Sequence, residues 1–484
     1  MYLNQKISAC LLDALRANRR VFSLYVTMGV SLLILLLLSV FCLVPGQSAI
    51  ASVTADGRDD ETYTVPLEYD RLNCTRPVVY MRFGNEDEFG PPIPILLDTA
   101  LPGLMLSKEA AKMEHLKLQD IPADILHRTT YGGDKYTVVK TLIFSNTKGD
   151  ICLRGQADYV EIEVADFSPF RVGHDIKIMG VCGISMLRSF KTNLVMDFGV
   201  NTLSVTKMTD PLPMVGPGAH RVPFRFDKDI VRVTGTLLTA SEPTGKKTPE
   251  NYTASFKVDT GSWYSVLNAE APLRRVYPVA LAPDKLTTFA TQGSISAENA
   301  RVRGFQMETT DGGEWSEDNV DVTFGPQDSR AENILGLSFL SRFRLTFDFK
   351  HNVLTFEPSS KQEEARRPLG NLGGLGLNYI GEHWIVTKIH TWSELPRQGV
   401  QVGDEVISVN GINLLSQTRA AMSENEYLWG IVSGYAGDDA VFELKSADTG
   451  KTYTVKFKRG SVYDHGDVAA FFASEIGDTA KSSP

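Results

Sequence analysis

Two aspartates occur in nearly identical settings, and their shared surroundings suggest acid–base chemistry. Asp98 is preceded by Ile-Leu-Leu and followed by Thr-Ala, while Asp259 is preceded by Phe-Lys-Val and followed by Thr-Gly. In both copies a second apolar run follows and ends at a polar residue nine positions after the aspartate, Ser107 or Asn268. Two carboxyl groups held close together cannot both ionise at low cost, so they share one proton. The matched settings therefore predict one site built from two distant parts of the chain.

The segments that follow the two aspartates repeat in the same order, which indicates an internal duplication. Gly-Ile-Ser-Met-Leu-Arg-Ser-Phe at 183–190 has its counterpart in Gly-Leu-Ser-Phe-Leu-Ser-Arg-Phe at 336–343. Val-Met-Asp-Phe at 195–198 likewise matches Thr-Phe-Asp-Phe at 346–349. A surface turn is the ordinary interpretation of a single Asp-Thr-Gly, because Asp and Gly favour turns. That interpretation does not explain two copies inside one ordered repeat.

Each half of the duplication is predicted to be mainly β. Apolar and polar residues alternate in 78–83, 160–164 and 320–324, which is the two-residue period of half-buried strands. Short helices are expected near 185–189 and 338–341, with one more in 108–115. The chain is thus a set of strands that must bring the two aspartates together.

These motifs together resemble the lobe of pepsin-like and retropepsin-like aspartic proteases. Such a lobe contains an apolar strand ending in Asp-Thr-Gly, a second apolar strand, and a later apolar-apolar-Gly element. The matching residues are Asp98-Thr99-Ala100 with 178–180 or 182–183, and Asp259-Thr260-Gly261 with 334–336. The resemblance implies a bilobal enzyme with duplicated acid-protease (retropepsin-like) β-barrel lobes at residues 71–209 and 218–358.

The resemblance also implies roles for the residues around the pair. Asp98 and Asp259 would be catalytic, one ionised carboxylate taking a proton from a water while the other carboxyl group hydrogen-bonds to the scissile carbonyl. The hydroxyl groups of Thr99 and Thr260 would bond across the twofold axis. Gly261 would let a backbone N–H approach the carboxylate, and Ala100 takes the same position in the first copy.

The first copy departs from the family pattern at two positions. Ala100 replaces Gly, and Leu101 stands where the second copy has Ser262. The hydroxyl of Ser262 is expected to hydrogen-bond the outer carboxylate oxygen of Asp259, a support that Asp98 lacks. We therefore expect unequal halves, with Asp259 the more readily ionised partner. The same departures favour an alternative, a catalytically inactive pseudo-protease.

A flap over the carboxyl pair is also expected, since water must be excluded during catalysis. Tyr131, Gly132 and Gly133 follow Asp98 and resemble the glycine-bearing tip of a hairpin that carries an aromatic residue. An ordinary β-turn is the alternative interpretation of these three residues.

The C-terminal part resembles a PDZ domain at 371–460, after a polar linker at 359–370. Gly-Leu-Gly-Leu at 374–377 matches the carboxylate-binding loop of that family, and 399–411 matches its Gly-Asp-x-x-Ile-x-Val-Asn-Gly signature. The resemblance implies that the backbone N–H groups of Leu375, Gly376 and Leu377 capture a peptide C-terminus, with the peptide added as a strand. A groove that is unused or filled by the chain's own tail is the alternative. Residues 461–484 are predicted to be a flexible tail.

The N-terminus contains an uncharged apolar stretch at 21–44, longer than the roughly 20 residues that cross a bilayer. Basic residues in 1–20 precede it and acidic residues follow in the linker 45–70, so we expect the bulk of the chain on the extracytoplasmic side. Cleavage of a signal peptide near Ala51 is the alternative. A bacterial relative of this type would be periplasmic, whereas a eukaryotic secretory origin would make Asn73 and Asn251 glycosylation candidates.

Composition excludes several other classes of function. The 484 residues carry a net charge of −9 and no long basic stripe in the soluble part, which argues against nucleic acid as a partner. No Cys-x-x-Cys or His-Glu-x-x-His pattern supports a metal site, no cofactor is indicated, and Gly-x-Ser-x-Gly is absent from the sequence. Beyond the apolar stretch Cys74, Cys152 and Cys182 leave open one disulfide with a free thiol.

Taken together, the sequence predicts a membrane-tethered, exported aspartic endopeptidase. Its partners would be a protein or peptide substrate at the Asp98/Asp259 pair, peptide C-termini at the PDZ domain, and the membrane through the N-terminal helix. The alternative is an inactive pseudo-protease/PDZ scaffold that binds extended peptides.

Overall fold

The computed structural model describes the chain from Ile50 to Ser461 with gaps. The described ranges are 50–53, 62–72, 74–85, 88–101, 103–113, 119–120, 134–146, 149–165, 171–172, 176–188, 192–207, 215–227, 229–238, 251–268, 280–282, 297–324, 332–381, 383–414 and 434–461. The predicted span at 21–44, the flap candidate at 131–133 and most of the predicted tail lie outside these ranges. Within the described ranges, no helix has the length and apolar character to cross a membrane.

The described part of the chain up to residue 207, including residues of the predicted linker at 45–70, is almost entirely strand. Its strands are β1 (Ile50–Val53), β2 (Thr62–Pro66), β3 (Glu68–Asp70), β4 (Cys74–Arg82), β5 (Gly84–Asn85), β6 (Glu88–Phe89), β7 (Ile93–Asp98), β8 (Leu104–Ser107), β9 (Gln119–Asp120), β10 (Asp134–Asn146), β11 (Gly149–Ala165), β12 (Arg171–Val172), β13 (Ile176–Lys177), β14 (Gly180–Gly183), β15 (Thr192–Asp197) and β16 (Thr202–Lys207). Two short helices accompany them, α1 (Lys108–Ala111) and α2 (Ile184–Arg188). Ser107 is the N-cap of α1, its hydroxyl accepting the N–H of Ala110.

The second copy has the same character. Its strands are β17 (His220–Asp227), β18 (Ile230–Leu238), β19 (Tyr252–Val258), β20 (Ser265–Leu267), β21 (Ala280–Ala282), β22 (Ala297–Glu308), β23 (Glu314–Phe324), β24 (Ile334–Leu335), β25 (Phe343–Asp348) and β26 (Val353–Pro358), with helix α3 (Leu337–Leu340). The expectation of a mainly β chain with short helices after 183 and 336 is confirmed.

Six strands of each copy pair into a closed ring. The first ring runs β11, β8, β14, β7, β4, β10 and back to β11, and the second runs β23, β20, β24, β19, β18, β22 and back to β23. Corresponding neighbours run in the same sense: β14 is parallel to β7 as β24 is to β19, and β8 is parallel to β11 as β20 is to β23. Closure gives every strand a partner on both sides, so neither barrel exposes an open edge among these strands.

A six-stranded sheet joins the two barrels, in the order β2, β16, β15, β25, β26 and β17. At its centre β15 and β25 are antiparallel, with Leu194 opposite Phe347 and Met196 opposite Leu345. All four side chains are buried in one apolar core that extends into both barrels. The repeated segments seen in the sequence thus pair with each other, which fixes the relation of the two copies.

The segment predicted as a linker contains helix α4 (Gln362–Arg366), which contacts the second copy. The guanidinium of Arg366 donates two hydrogen bonds to the carboxylate of Glu317, at 2.7 and 2.9 Å, and Arg342 donates another at 2.9 Å. Glu317 and Arg342 are buried, so loss of Glu317 would remove the carboxylate to which both guanidinium groups donate. The carboxylate of Glu364 accepts a hydrogen bond from the hydroxyl of Tyr435, beyond the linker.

The C-terminal module, residues 371–460, has a sheet and a core of its own. Its strands are β27 (Leu375–Ile380), β28 (His383–Ile389), β29 (Glu405–Val409), β30 (Ile412–Asn413), β31 (Asp439–Lys445) and β32 (Thr452–Lys458), with a 3-10 helix at Leu395–Gln398. The sheet order is β27, β28, β29, β31, β32, with β30 on β29. Leu375, Val386, Val409 and Phe442 are buried in its core. Residues 415–433 of this module lie outside the described residues.

Candidate active site

The two aspartates lie at matching points of the two barrels, where a strand ends and a tight turn begins. Asp98 is the last residue of β7, and Asp259 directly follows β19. In each turn the aspartate carbonyl accepts an N–H three residues later, from Leu101 at 3.1 Å and from Ser262 at 3.4 Å. The turn then feeds the second apolar strand of the motif, β8 or β20.

A glycine at the end of a neighbouring parallel strand packs against the backbone of each turn. Gly183 of β14 is in register with Asp98, and Gly336 takes the corresponding place after Leu335, whose carbonyl accepts the N–H of Asp259 at 3.0 Å. A methyl group on Gly183 would lie 1.8 Å from the carbonyl oxygen of Leu101, and one on Gly336 would be equally obstructed. Of the two alternatives for the first apolar-apolar-Gly element, the one ending at 183 is therefore the structural counterpart of 334–336.

Four hydrogen bonds made by the two threonines hold the two turns together across the pseudo-twofold axis. The hydroxyl of Thr99 donates to the carbonyl of Val258 at 2.7 Å, and the hydroxyl of Thr260 donates to that of Leu97 at 2.8 Å. The same hydroxyl oxygens accept backbone N–H groups, Thr99 from Thr260 at 3.0 Å and Thr260 from Thr99 at 3.2 Å. Both side chains are buried, so these bonds are shielded from water.

The carboxyl group of Asp98 reaches across to the turn of the second copy. A methyl group on Gly261 would lie 2.5 Å from both Cγ and Oδ2 of Asp98, a separation that no real side chain tolerates. The sequence-based expectation was that Gly261 lets a backbone N–H reach a carboxylate. In the structure the missing side chain of this glycine makes room for the opposing carboxyl group. Ala100 is accommodated in the first copy, and its N–H donates to Oδ1 of Asp98 at 2.8 Å.

The pKa of Asp98 is raised to about 7. Burial is the largest cause, followed by the negative charge of Asp259, and a hydrogen bond between the two carboxyl groups adds to the rise. The N–H of Ala100 and the charge of Lys257 act in the opposite direction. Burial and the neighbouring charge of Asp259 thus keep the Asp98 carboxyl group protonated to a higher pH than an ordinary aspartate.

Asp259 is 7% exposed and its two oxygen atoms have different surroundings. Oδ2 forms an ion pair with Nζ of Lys257 at 3.6 Å. Oδ1 is buried, and no N–H or hydroxyl group among the described residues donates a hydrogen bond to it. This oxygen is therefore the one left to interact with the proton of Asp98 or with a bound molecule.

The expected partner of Ser262 is wrong. Its hydroxyl donates to the carbonyl of Tyr264 at 2.9 Å, so its single proton is not available to the carboxylate of Asp259. The cation at Lys257 was missed, although one signal pointed to it. A lysine in a strand of otherwise uncharged residues, two positions before Asp259, must lie on the same face as the aspartate.

In the C-terminal module, Leu375, Gly376 and Leu377 form the start of β27, which lies at one end of the described sheet order. The side chains of Leu375 and Leu377 are buried. The N–H of Leu375 donates a long hydrogen bond, 3.4 Å, to the carbonyl of Leu372. Gly373 and Gly374 before it have φ of 66° and 85°, which makes the loop a tight left-handed turn.

Comparisons with known proteins give structural neighbours alone. No protein-family model matches the chain, and no curated protein sequence matches it. The solved structures that it is similar to include an aspartic proteinase from Irpex lacteus, with 13% identity, a TM-score of 0.38, and coverage of 63% of this chain and 100% of that one. Conglutin gamma, a basic 7S globulin from lupine seeds, has 11% identity and a TM-score of 0.40, with coverage of 63% and 96%. The soybean basic 7S globulin has 12% identity and a TM-score of 0.37, with coverage of 63% and 97%. At TM-scores below 0.5, these likenesses assign neither a fold nor a function to this chain.

Among the described residues, no group of three or more His, Cys, Asp and Glu side chains is arranged to hold a metal ion. The thiol of Cys182 is free and buried beside the first turn, and burial raises its pKa to about 12.

Proposed function

We propose that the chain is an aspartic endopeptidase of the pepsin/retropepsin-like type, with Asp98 and Asp259 as its catalytic pair. One observation carries the proposal: the cross-axis threonine bonds bring together two carboxyl groups in unlike surroundings, Asp98 half-buried and Asp259 buried. Asp98 holds a proton up to a pH of about 7, and Oδ1 of Asp259 has no fixed donor among the described residues. A protonated and an unprotonated carboxyl group side by side are the equipment for general acid–base hydrolysis.

The proposed reaction uses a water molecule bound between the two carboxyl groups. Asp259 takes a proton from this water as the water oxygen attacks the peptide carbonyl carbon. At the same time the carboxyl group of Asp98 donates a hydrogen bond to the carbonyl oxygen. The tetrahedral species then collapses, the carbon–nitrogen bond breaks, and the proton held by Asp259 passes to the leaving nitrogen. One water is consumed and both carboxyl groups return to their starting protonation.

The remaining parts of the chain give this activity a setting. The C-terminal module, in our proposal a PDZ domain, binds peptide or protein C-termini along β27 through the loop that precedes Leu375. The N-terminal apolar stretch tethers the enzyme, so that the site lies on the extracytoplasmic, periplasmic side of a membrane. The position of β27 at the end of the described sheet order supports the first point, since an added peptide strand needs an unpaired neighbour.

The test is peptide hydrolysis by the full chain across pH 4–8, with a mixed peptide library and mass spectrometry of the products. Asp98→Asn and Asp259→Asn are each expected to lose cleavage by at least about 1,000-fold, because each removes one half of the acid–base pair. Equal product formation by the wild type and both variants would refute the proposed mechanism.

A non-cutting scaffold is the second candidate, and the ion pair between Lys257 and Asp259 favours it. A cation this close to the carboxylate competes with bound water for its negative charge. If no peptide is cut at any pH while extended peptides bind with measurable affinity, the scaffold function replaces the enzymatic one.

A further inference from the structure

Lys257 lies two residues before Asp259 in the second copy, and the counterpart of this position in the first copy is the uncharged Leu96. Lys257 is part of β19, and side chains two apart on a strand point to the same face. Its side chain is only 18% exposed. A lysine buried to this degree loses much of its hydration, so it needs nearby negative charge.

That negative charge comes from two sides. Nζ of Lys257 lies 3.6 Å from Oδ2 of Asp259 and 3.9 Å from Oε2 of Glu332, the residue shortly before β24. The other oxygen of Glu332 accepts a 2.5 Å hydrogen bond from Nη2 of Arg232 on β18. Nε of Arg232 in turn pairs with Oδ2 of Asp227 at the end of β17, at 2.9 Å.

These five residues form a line of alternating charge, which we call the charge line: Asp259, Lys257, Glu332, Arg232 and Asp227. Lys257 and Arg232 are directly opposite each other on β18 and β19. Two cations in this relation repel, and Glu332 between them relieves the repulsion. The line begins at the buried carboxylate of Asp259, passes through the half-exposed Glu332 and ends at the half-exposed Asp227.

The corresponding position of the first copy has no charge. Leu96 lies two residues before Asp98 and is fully buried, in an apolar cluster with Val78, Leu101 and Val181. Asp98 therefore faces an apolar layer on its own side of the axis, and Asp259 faces a cation. The charged groups that act on Asp98 are Asp259, from the opposing turn, and Lys257, from β19.

We propose that Lys257 is a positioning residue that holds the negative charge of the pair on Asp259 and so leaves the proton on Asp98. This inference rests on the proposed peptidase, whose mechanism needs one defined base and one defined acid. Without Lys257, the two carboxyl groups would differ less, and the proton would be distributed between them. The charge line keeps Lys257 in place, because Glu332, which is itself held by Arg232, pairs with the ammonium group.

The catalytic test compares Lys257→Met with Lys257→Arg in the full chain. Loss of the cation should move the alkaline limb of the kcat/KM profile upward by about 0.5–1 pH unit, because a nearby positive charge favours ionisation of Asp98. We expect the maximal kcat to fall by roughly 10-fold with KM within about 2-fold, since Lys257 acts through Asp259 and not on substrate. Lys257→Arg should keep the alkaline limb within about 0.2 pH unit of the wild type, because the charge is retained. Lys456→Met is the matched control, since it removes an exposed lysine from β32 and should leave both quantities unchanged.

A second measurement does not depend on catalysis. The Tm of the full chain is followed from pH 4 to 9 with and without Asp98→Asn, in the wild-type and Lys257→Met backgrounds. The difference between each pair of curves isolates the titration of Asp98. Its midpoint should rise by about 0.5–1 pH unit when Lys257 is replaced. If Lys257→Met does not fold, Lys257→Gln takes its place.

The outcomes separate the two proposals. An unchanged alkaline limb in an active Lys257→Met protein, or an unchanged Tm midpoint, overturns the role of Lys257 while the peptidase stands. A chain that cuts no peptide but shows the shifted midpoint overturns the peptidase and keeps Lys257 as the residue that places the proton.

Discussion

The turns around Asp98 and Asp259 have the same backbone and opposite electrostatics. Each turn follows a barrel strand, β7 or β19, whose parallel neighbour ends at or just before a glycine. In each turn a buried threonine forms hydrogen bonds to the other turn. The first turn is surrounded by apolar side chains such as Leu96 and Leu101, whereas the second is approached by Lys257. The two copies thus share the backbone geometry that brings the carboxyl groups together. They differ in the neighbouring side chains that make the electrostatic surroundings of the two carboxyl groups unequal.

Gly261 and Ala100 occupy the same position in the two turns but have different side chains. Substitution at this position is expected to give the largest difference in kcat/KM between the two halves. Gly261→Ala should lower kcat/KM by at least about 100-fold, because its methyl group would displace the Asp98 carboxyl group 2.5 Å away. Ala100→Gly is the matched change on the other side and should alter kcat/KM by less than about 3-fold, since it removes a methyl group without displacing a carboxyl group. Peptide hydrolysis at pH 6 measures both. Equal losses in the two variants would mean that Gly261 has no special role.

Thr99 and Thr260 are the part in which the halves agree, and they test that agreement. Thr99→Val and Thr260→Val each remove a buried hydroxyl that donates one hydrogen bond and accepts another. Each change should lower the free energy of unfolding by about 2–4 kcal/mol, as carbonyl and N–H groups lose their partners. The double variant should lose less than the sum, because the four bonds form one network. Chemical denaturation checks this, and strict additivity would contradict a shared network.

The raised pKa of Asp98 predicts a pH dependence of stability. Because the folded chain binds the Asp98 proton up to about pH 7, against an ordinary value of 3.8, ionisation costs stability as pH rises from about 4 to 7. Asp98→Asn removes that cost, so it should raise the free energy of unfolding by roughly 1–4 kcal/mol at pH 8 and little at pH 4. Denaturation curves at the two pH values measure it. A gain that is equal at both values would show that Asp98 ionises normally.

Ser262 should give the smallest effect. Because its hydroxyl donates to the carbonyl of Tyr264 and not to Asp259, Ser262→Ala should leave the pH profile of kcat/KM within about 0.2 unit. Its free energy of unfolding should fall by about 1 kcal/mol through the lost hydrogen bond. A clear shift of the pH profile would restore the role that the sequence suggested.

The sequence predicted the features that depend on local pattern and order. Alternating apolar residues identified strands, the ordered repeat identified the two copies, and the position of Thr after Asp marked the residues that bond across the axis. The partners of Ser262 and Gly261 could not be predicted, because they depend on how two turns 161 residues apart approach each other. The charge line could not be predicted from the sequence for the same reason. Glu332 and Arg232 reach Lys257 only through strand register, which the spacing of residues does not reveal.

The sheet that joins the barrels also fixes the order in which this chain can become functional. Strand β15 pairs with β25, so the first copy waits for about 150 further residues to be synthesised before its sheet is complete. Pairings that span so much sequence form slowly, since the chain loses more entropy in closing a long loop. A nascent chain that has released only its first barrel holds Asp98 with no opposing carboxyl group. Such a half-made protein cannot carry out the proposed reaction.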